Sequence, residues 1–526
     1  MSGTDITSSL NSYLASLKGD KTQKLLRLEK GTYYFSASEA RSETINITNT
    51  IGEKEYRDGE KINMRTAAVW LEDIENLTID FSGSVLVMRG EMSYFFLLRC
   101  KNVTLKNVTI VNPLPLIHKL TVTGGSSHSM EFTTEKGLTM RDGGCFFGDG
   151  VNILDAKNRA WWILTTKNDS DHHLLRSSIP PFLGCRKITG HGKEYVASFY
   201  IPNKHETGRS YYIYDIRRKQ VGTLIDSCEN ITISDVKQNF NYSLNIVAQN
   251  SENINIERCR FEPDRDDFAV ASIADFVQIC MCRGIVKITD CVFDGAGDDV
   301  LNVHGFHFPV TSVRGNTIKM KFAHAQSYGY ECVRQGDVLA AIDKMTLLEK
   351  GRAGVVSASL CDPYTYEVTL DGDVSIFENA AAENVSASPA ILFENNTIDR
   401  IPTRGVLATT RGSITIKNNK FLNTGMAGIL VSDDASTWFE SSMTTHAEIT
   451  GNEFCDCDDC CILIKPEYKR FSGSVHGDFI IDENKFLSGS PAVIADGARG
   501  LYFRNNIYKG EKSKLTRIES ISGEIT

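Results

Sequence analysis

Asp298 and Asp299 sit in the stretch GAGDDVLNVHG, Gly295–Gly305, after two glycines and before an apolar run holding Asn302 and His304. Asp275, in ASIADFVQ, precedes them by 23 and 24 residues. Carboxyls brought together can divide acid–base work: one kept protonated by its surroundings donates a proton, and an ionised one accepts. Glycoside hydrolysis uses such carboxyls, roughly 6.5–9.5 Å apart in inverting enzymes and about 5–5.5 Å apart in retaining ones. The plainer alternative is that Asp298 and Asp299 are ordinary turn residues, as Asp266 and Asp267 of PDRDDF would be.

A second constellation repeats the theme. GILVSDDASTWFES, Gly428–Ser441, sets an apolar strand before a double acid, then adds Trp438 and Glu440. A Trp beside Asp434 and Glu440 could stack on the apolar face of a sugar ring while the carboxylates take its hydroxyls; a Trp packed under a loop is the bland version. Upstream, TRGVLATTRG offers Arg404 and Arg411, suited to a hydroxyl or to orienting a carboxylate. Other candidates carry less. His307 reads as structural or subsite-level rather than catalytic, the GHG at Gly190–Gly192 as chance, and Trp161 and Trp162 as one core and one surface residue. CDDC, Cys457–Cys460, has neither a second CxxC nor a His pair nearby, so no zinc site is expected.

Acids about 23 residues apart can meet only if the chain returns at that interval, and the sequence repeats accordingly. ENLTIDFSG, KNVTLKNVTIVN, CENITISDV, SENINIERCRFE, GSITIKNNKFLNTG and GDFIIDENKFLSG share one phrase: a turn, an alternating strand, then an Asn- or Asp-rich turn. Consecutive copies fall roughly 22 to 35 residues apart, the solenoid range. Ile residues two apart share a face that one strand cannot bury alone, so each coil must stack on the next. Asn at the turns tolerates left-handed backbone and can ladder between coils. The expected fold is all-β: a right-handed parallel β-helix, capped by the helical pattern DITSSLNSYLASL and interrupted by two inserted antiparallel β-barrel-like modules. The expected division is 1–114 for cap and first coils, 115–222 for the first insert and 223–306 for the coils with the acids. It continues with 307–390 for the second insert and 391–526 for the last coils. If Leu301 and Val303 face the core, Val300, Asn302 and His304 face out, and a bend at Gly297–Asp298 must bring both acids to the surface.

Composition narrows the partners. The 526 residues carry a net charge of −9, which gives no electrostatic footprint for nucleic acid or an acidic membrane. No apolar run approaches the ~18 residues of a membrane span. The N-terminus lacks the layout of a signal peptide, so a cytoplasmic protein is expected, or one whose leader has been removed. The 14 cysteines read as small, buried, reduced side chains. Oligomeric state stays open, a homo-oligomer included.

The run from ADFVQICMCRG through FDGAGDDVLNVHG, RGVLATTRG, NTGMAGILVSDDASTWFES and ITGNEF resembles glycoside hydrolase family 110, best over residues about 230–460. These are bacterial exo-acting α-1,3-galactosidases, some of which remove the terminal galactose of blood group B antigen. The resemblance implies a β-helical, inverting enzyme that needs no metal or other cofactor and takes a galactose-terminated oligosaccharide or glycoconjugate. It casts Asp275 as the general acid and Asp298 with Asp299 as the pair activating water. Asn302, His304, Asp434, Trp438 and Glu440 would line the galactose pocket, with Arg404 and Arg411 as further contacts. Phe276, Val277 and Gln278 after Asp275, and Phe306 and His307 after the His-Gly pair, depart from the pattern and leave the aglycone side open. Two alternatives from other classes are a β-helix polysaccharide lyase, which needs a Lys or Arg base and usually Ca²⁺, and a non-catalytic glycan-binding solenoid.

Overall fold

The computed structural model describes residues 4–509 apart from 57–58, 114–116, 142–143, 148–152, 154–160, 169–170, 178–179, 204, 216 and 265–269, and also 516–519. Asp266 and Asp267, and the side chains of Trp161 and Trp162, lie outside the described residues.

Stacked coils form the body. Along one flank Glu75–Arg89, Lys101–Val111, Glu229–Gln238, Glu252–Glu257, Arg283–Thr289, Ala390–Glu394, Ile414–Lys417, His446–Thr450, His476–Asp482 and Ala498–Arg504 pair in parallel, each with the next. The alternating Ile and Val of these strands face one buried core running the length of the solenoid. Phenylalanines stack within it: Phe421 on Phe454, Phe454 on Phe486 and Phe486 on Phe503, with ring centroids 4.8, 5.3 and 5.8 Å apart.

The Asn-rich turns form two ladders. Asn76, Asn102, Asn230 and Asn253 all hold positive φ, and the amides of the last three each donate to the side-chain oxygen of the one before. Inside, the amides of Asn396, Asn419, Asn452 and Asn484 each donate to the side-chain oxygen of the next Asn, ending at Asn506. Burying amides this way is tolerable because each is satisfied by its neighbour. The helix Thr7–Ser16 covers the N-terminal end, with Leu10 and Leu14 set into the core. All 14 cysteines are free thiols, and only Cys361 is exposed. No helix among the described residues is long and apolar enough to cross a membrane.

Both interruptions leave the stacking intact. Lys101–Val111 pairs directly with Glu229–Gln238, so the segment between them is an insertion. It forms a seven-stranded antiparallel sheet with its own apolar core. Likewise Arg283–Thr289 stacks on Ala390–Glu394. The strand Leu301–Arg314 begins in a coil, paired in parallel with Val406–Ala408, and then leaves the solenoid. Its second half joins Thr317–Lys321, Thr365–Leu370, Glu349–Asp362, Val338–Asp343 and Ala380–Asn384 in a closed antiparallel barrel.

Candidate active site

Corners stacked in register build the site. Val277 pairs with Leu301, and Leu301 with Val406. Two residues before each lie Asp275, Asp299 and Arg404, which therefore occupy one corner position on three successive coils, about 4.8 Å apart along the stack. The N–H of Phe276 donates to the Asp299 carbonyl, and that of Val300 to the Arg404 carbonyl. Asp298 projects from the same corner as Asp299. The turn runs on through Val300, which packs into the core beside Leu301. This corrects the expectation that Val300 faces out. Two glycines permit the corner for different reasons. Gly295 has φ of +76°, whereas Gly297 passes so close to the previous coil that a Cβ would lie 2.0 Å from the Ile273 carbonyl oxygen.

Three arginines then sort the acids. Arg404 grips Asp299 completely: its N–H reaches Oδ1 at 3.0 Å, and its Nε and Nη2 reach Oδ2 at 3.1 and 2.6 Å. Asp298 is held by the first insert. Arg176 and Arg218 both meet its Oδ2, at 2.7 and 2.9 Å. Arg217 beside them is anchored on Glu60 at 2.9 Å, and Arg218 donates to the Asn49 carbonyl at 3.3 Å. Burial alone would raise Asp298, but Arg176, Arg218 and Arg404 outweigh it and bring it down to about 2. Asp275 has the opposite environment. It is 3% exposed, and burial together with the neighbouring Asp298 and Asp299 pushes its carboxyl well above the usual range. Burial also raises Asp299, with Arg404 opposing and Asp298 adding to the rise. The corner thus holds one carboxyl that keeps its proton and one that keeps its charge.

These groups line a cavity of about 380 Å³. Its other walls include Asn302, Arg404, Asp433, Asp434, Trp438, Glu440 and Glu467. Trp438 is 45% exposed and lies against His324 of the barrel, ring centroids 4.4 Å apart. Glu440 accepts from the Asn49 amide at 3.1 Å and lies 3.6 Å from His304. A chain crossing ties this wall to the corner strand, because Gly305 pairs with Ser441 and Phe306 with Glu440.

The right handed beta helix region family matches residues 379–514. Alpha-1,3-galactosidase A of Bacteroides thetaiotaomicron is 29% identical to this chain, over 92% of the chain and 85% of that protein. Alpha-1,3-galactosidase A of Streptomyces avermitilis is 28% identical over 96% and 84%. Alpha-1,3-galactosidase B of Parabacteroides distasonis is 26% identical over 93% and 82%. Along most of its length the chain is similar to α-1,3-galactosidases. Among solved structures, the A-module of a mannuronan C-5 epimerase from Azotobacter vinelandii aligns over 99% of this chain and 93% of its own, with 12% identity and a TM-score of 0.37.

Of the residues expected from sequence to serve the site, Asp275, Asp298, Asp299, Asn302, Arg404, Asp434, Trp438 and Glu440 all line the cavity. Two do not. His304 lies behind Glu440, where its Nδ1 donates to the Gly305 carbonyl at 2.8 Å and its Nε2 meets the Gln278 side-chain amide at 2.6 Å. Burial disfavours its charge, but Glu440, with Cys280 and the Gly305 carbonyl, outweighs burial and brings it up to about 10. It therefore backs Glu440 and is not a wall of the pocket. Arg411 is turned away and paired with Glu383 and Glu349 of the barrel, at 2.8 and 2.7 Å. Asp434 lines the cavity but spends its carboxylate on the N–H groups of Ser436, Thr437 and Trp438, closing the turn that presents Trp438. Sequence reading missed Asn49, Arg176, Arg218, Asp433 and Glu467. Asp433 was signalled by the double acid, whereas the two arginines sit in an insert with no spacing relation to the acids.

Among the described residues, His173, Asp456 and Asp458 are the only three of their kind close enough to hold a metal ion. The two carboxylates face different ring nitrogens, at 3.5 Å from Nδ1 and 3.4 Å from Nε2.

Proposed function

We propose that the protein is an exo-acting, inverting α-galactosidase that hydrolyses terminal α-1,3-linked galactose from glycans such as blood group B antigen and linear α-1,3-galactosyl chains. The observation that carries this reading is the opposed surroundings of acids on one corner: Asp275 buried beside two other acids, Asp298 held by two arginines, which favours a proton on the first and a charge on the second. Asp275 gives its proton to the glycosidic oxygen as the C–O bond breaks. Asp298 takes a proton from the water that attacks the anomeric carbon from the other face. Both arginines meet Asp298 at Oδ2, so Oδ1 is the base oxygen, and Asp299, engaged by Arg404 through both oxygens, orients the pair. Trp438 supplies the stacking face, and Asn302 and Glu440 take hydroxyls.

The similarity to α-1,3-galactosidases supports the substrate class. Asp275 is buried at the cavity wall and not in the hydrophobic core, which favours catalysis over a passive glycan-binding solenoid. The cavity's arginines are each bound to an aspartate, which disfavours a lyase that would use one as its base. The test is incubation with a B-type trisaccharide and a linear α-1,3-galactosyl disaccharide, followed by NMR. β-Galactose appearing before its α-anomer is the expected result. α-Galactose appearing first would overturn inversion, and no released galactose would overturn the activity.

A further inference from the structure

Asp433 and His307 have no role in the chemistry above, yet they form an enclosed carboxyl–imidazole pair at the cavity wall. Asp433 lines the cavity and is 1% exposed. Its Oδ1 meets His307 Nε2 at 2.6 Å, the only hydrogen bond its side chain makes among the described residues. His307 sits where the strand Leu301–Arg314 leaves the coil for the barrel, paired across the strands with Glu383. Arg411 forks onto Glu383 through Nε and Nη2, both at 2.8 Å, and reaches Glu349 through Nη1 at 2.7 Å. Charges therefore alternate from the cavity wall into the second insert: Asp433, His307, Glu383, Arg411, Glu349.

A buried carboxylate is costly unless paired, and one paired through a single oxygen keeps acceptor capacity on the other. The neighbouring Asp434 has spent its oxygens on the turn, so Asp433 is the acid of this pair with an oxygen to offer. A carboxylate that only accepts suits sugar hydroxyls, which donate. We propose that Asp433 is a galactose-hydroxyl-binding residue and that His307 is its positioning residue, tied by Glu383 and Arg411 to the barrel. This rests on the galactosidase reading, and it gives the second insert a task in substrate recognition rather than in the chemical step.

The test compares the wild-type chain with Asp433→Asn, His307→Leu and His307→Gln. Calorimetry measures binding of free D-galactose, steady-state kinetics uses an α-1,3-galactosyl disaccharide, and thermal melts report folding. Removing a hydrogen bond to a charged group should weaken galactose binding and raise KM roughly 10- to 100-fold in Asp433→Asn and His307→Leu, with kcat changing far less. His307→Gln, whose amide can donate where Nε2 does, should recover part of the loss. Asp433→Asn binding galactose within about twofold of wild type would overturn the proposal. So would Gln and Leu at position 307 losing binding equally and only in step with a lower melting temperature, the mark of a folding role. A wild-type chain that binds galactose without cleaving the disaccharide sinks the hydrolase reading alone, and the Kd comparison still judges Asp433. A wild-type chain that does neither overturns both.

Discussion

Asp298 is ionised because the first insert makes it so, and Arg176→Met tests that dependence. The carboxyl stands at about 2 against an ordinary 3.8, a net preference for the charged form of roughly 2 to 3 kcal/mol. Burial acts in the other direction, so the arginines contribute more than that net figure. Arg176 is one of two cations touching Oδ2, at 2.7 Å, and an opposite charge this close is worth ~1–3 pKa units. Methionine keeps the bulk and drops the charge, leaving the burial penalty in place. The sign follows. With the pKa depressed, wild-type Asp298 stays ionised and stabilising until pH falls from about 4 towards 2. In the variant both effects fade at a higher pH. The acidic limb of kcat/KM, which reports the free enzyme's base, should therefore move up by ~1–3 units. The assay is galactose release from an α-1,3-galactosyl disaccharide between pH 3 and 7, with unfolding followed at each pH so that lost fold is not read as lost base. A profile superimposed on that of the wild type would refute the argument, because Asp298 would then either owe its ionisation to something else or not be the base.

Three further outcomes follow from the same geometry. Asp275→Asn should lower kcat ~10²- to 10⁴-fold, the usual worth of a general acid. It should also raise the melting temperature at pH 7, because burial and two neighbouring acids lift Asp275's folded pKa and stability is lost as pH rises above its unfolded value. The gain should shrink towards pH 4, and a destabilised variant at pH 7 would contradict it. Trp438→Ala should raise KM about tenfold with kcat nearly kept, since the ring is half exposed and offers only stacking. Arg411→Met should cost ~3–5 kcal/mol in urea unfolding, because among the described residues it removes the only cation bonded to Glu383, whose side chain is 2% exposed.

The sequence carried the solenoid in plain view, because a β-helix is built from local repetition. Period-two Ile marks the strands, Asn marks the left-handed turns, and the repeat length sets the return of the chain. The same regularity placed Asp275 one coil before Asp298 and Asp299, so these acids were legible as partners from spacing alone. It failed where the regularity ends. Strict alternation sends Val300 outward, yet the corner turns it into the core beside Leu301. Alternation also leaves His304 and Arg411 as plausible pocket walls. His304 instead backs Glu440, and Arg411 is claimed by two glutamates of the barrel.

By itself, then, the sequence determined the coil, its period and the return that sets Asp275 one coil from Asp298 and Asp299, since each depends on contacts a fixed distance apart along the chain. Only the tertiary structure decided which acid holds its proton and which its charge. That choice is made by Arg176 and Arg218, which lie 122 and 80 residues from Asp298 in a module whose docking no local pattern encodes. Protonation state is set by the charges within a few ångström and by access to water, and neither is a property of neighbours in sequence.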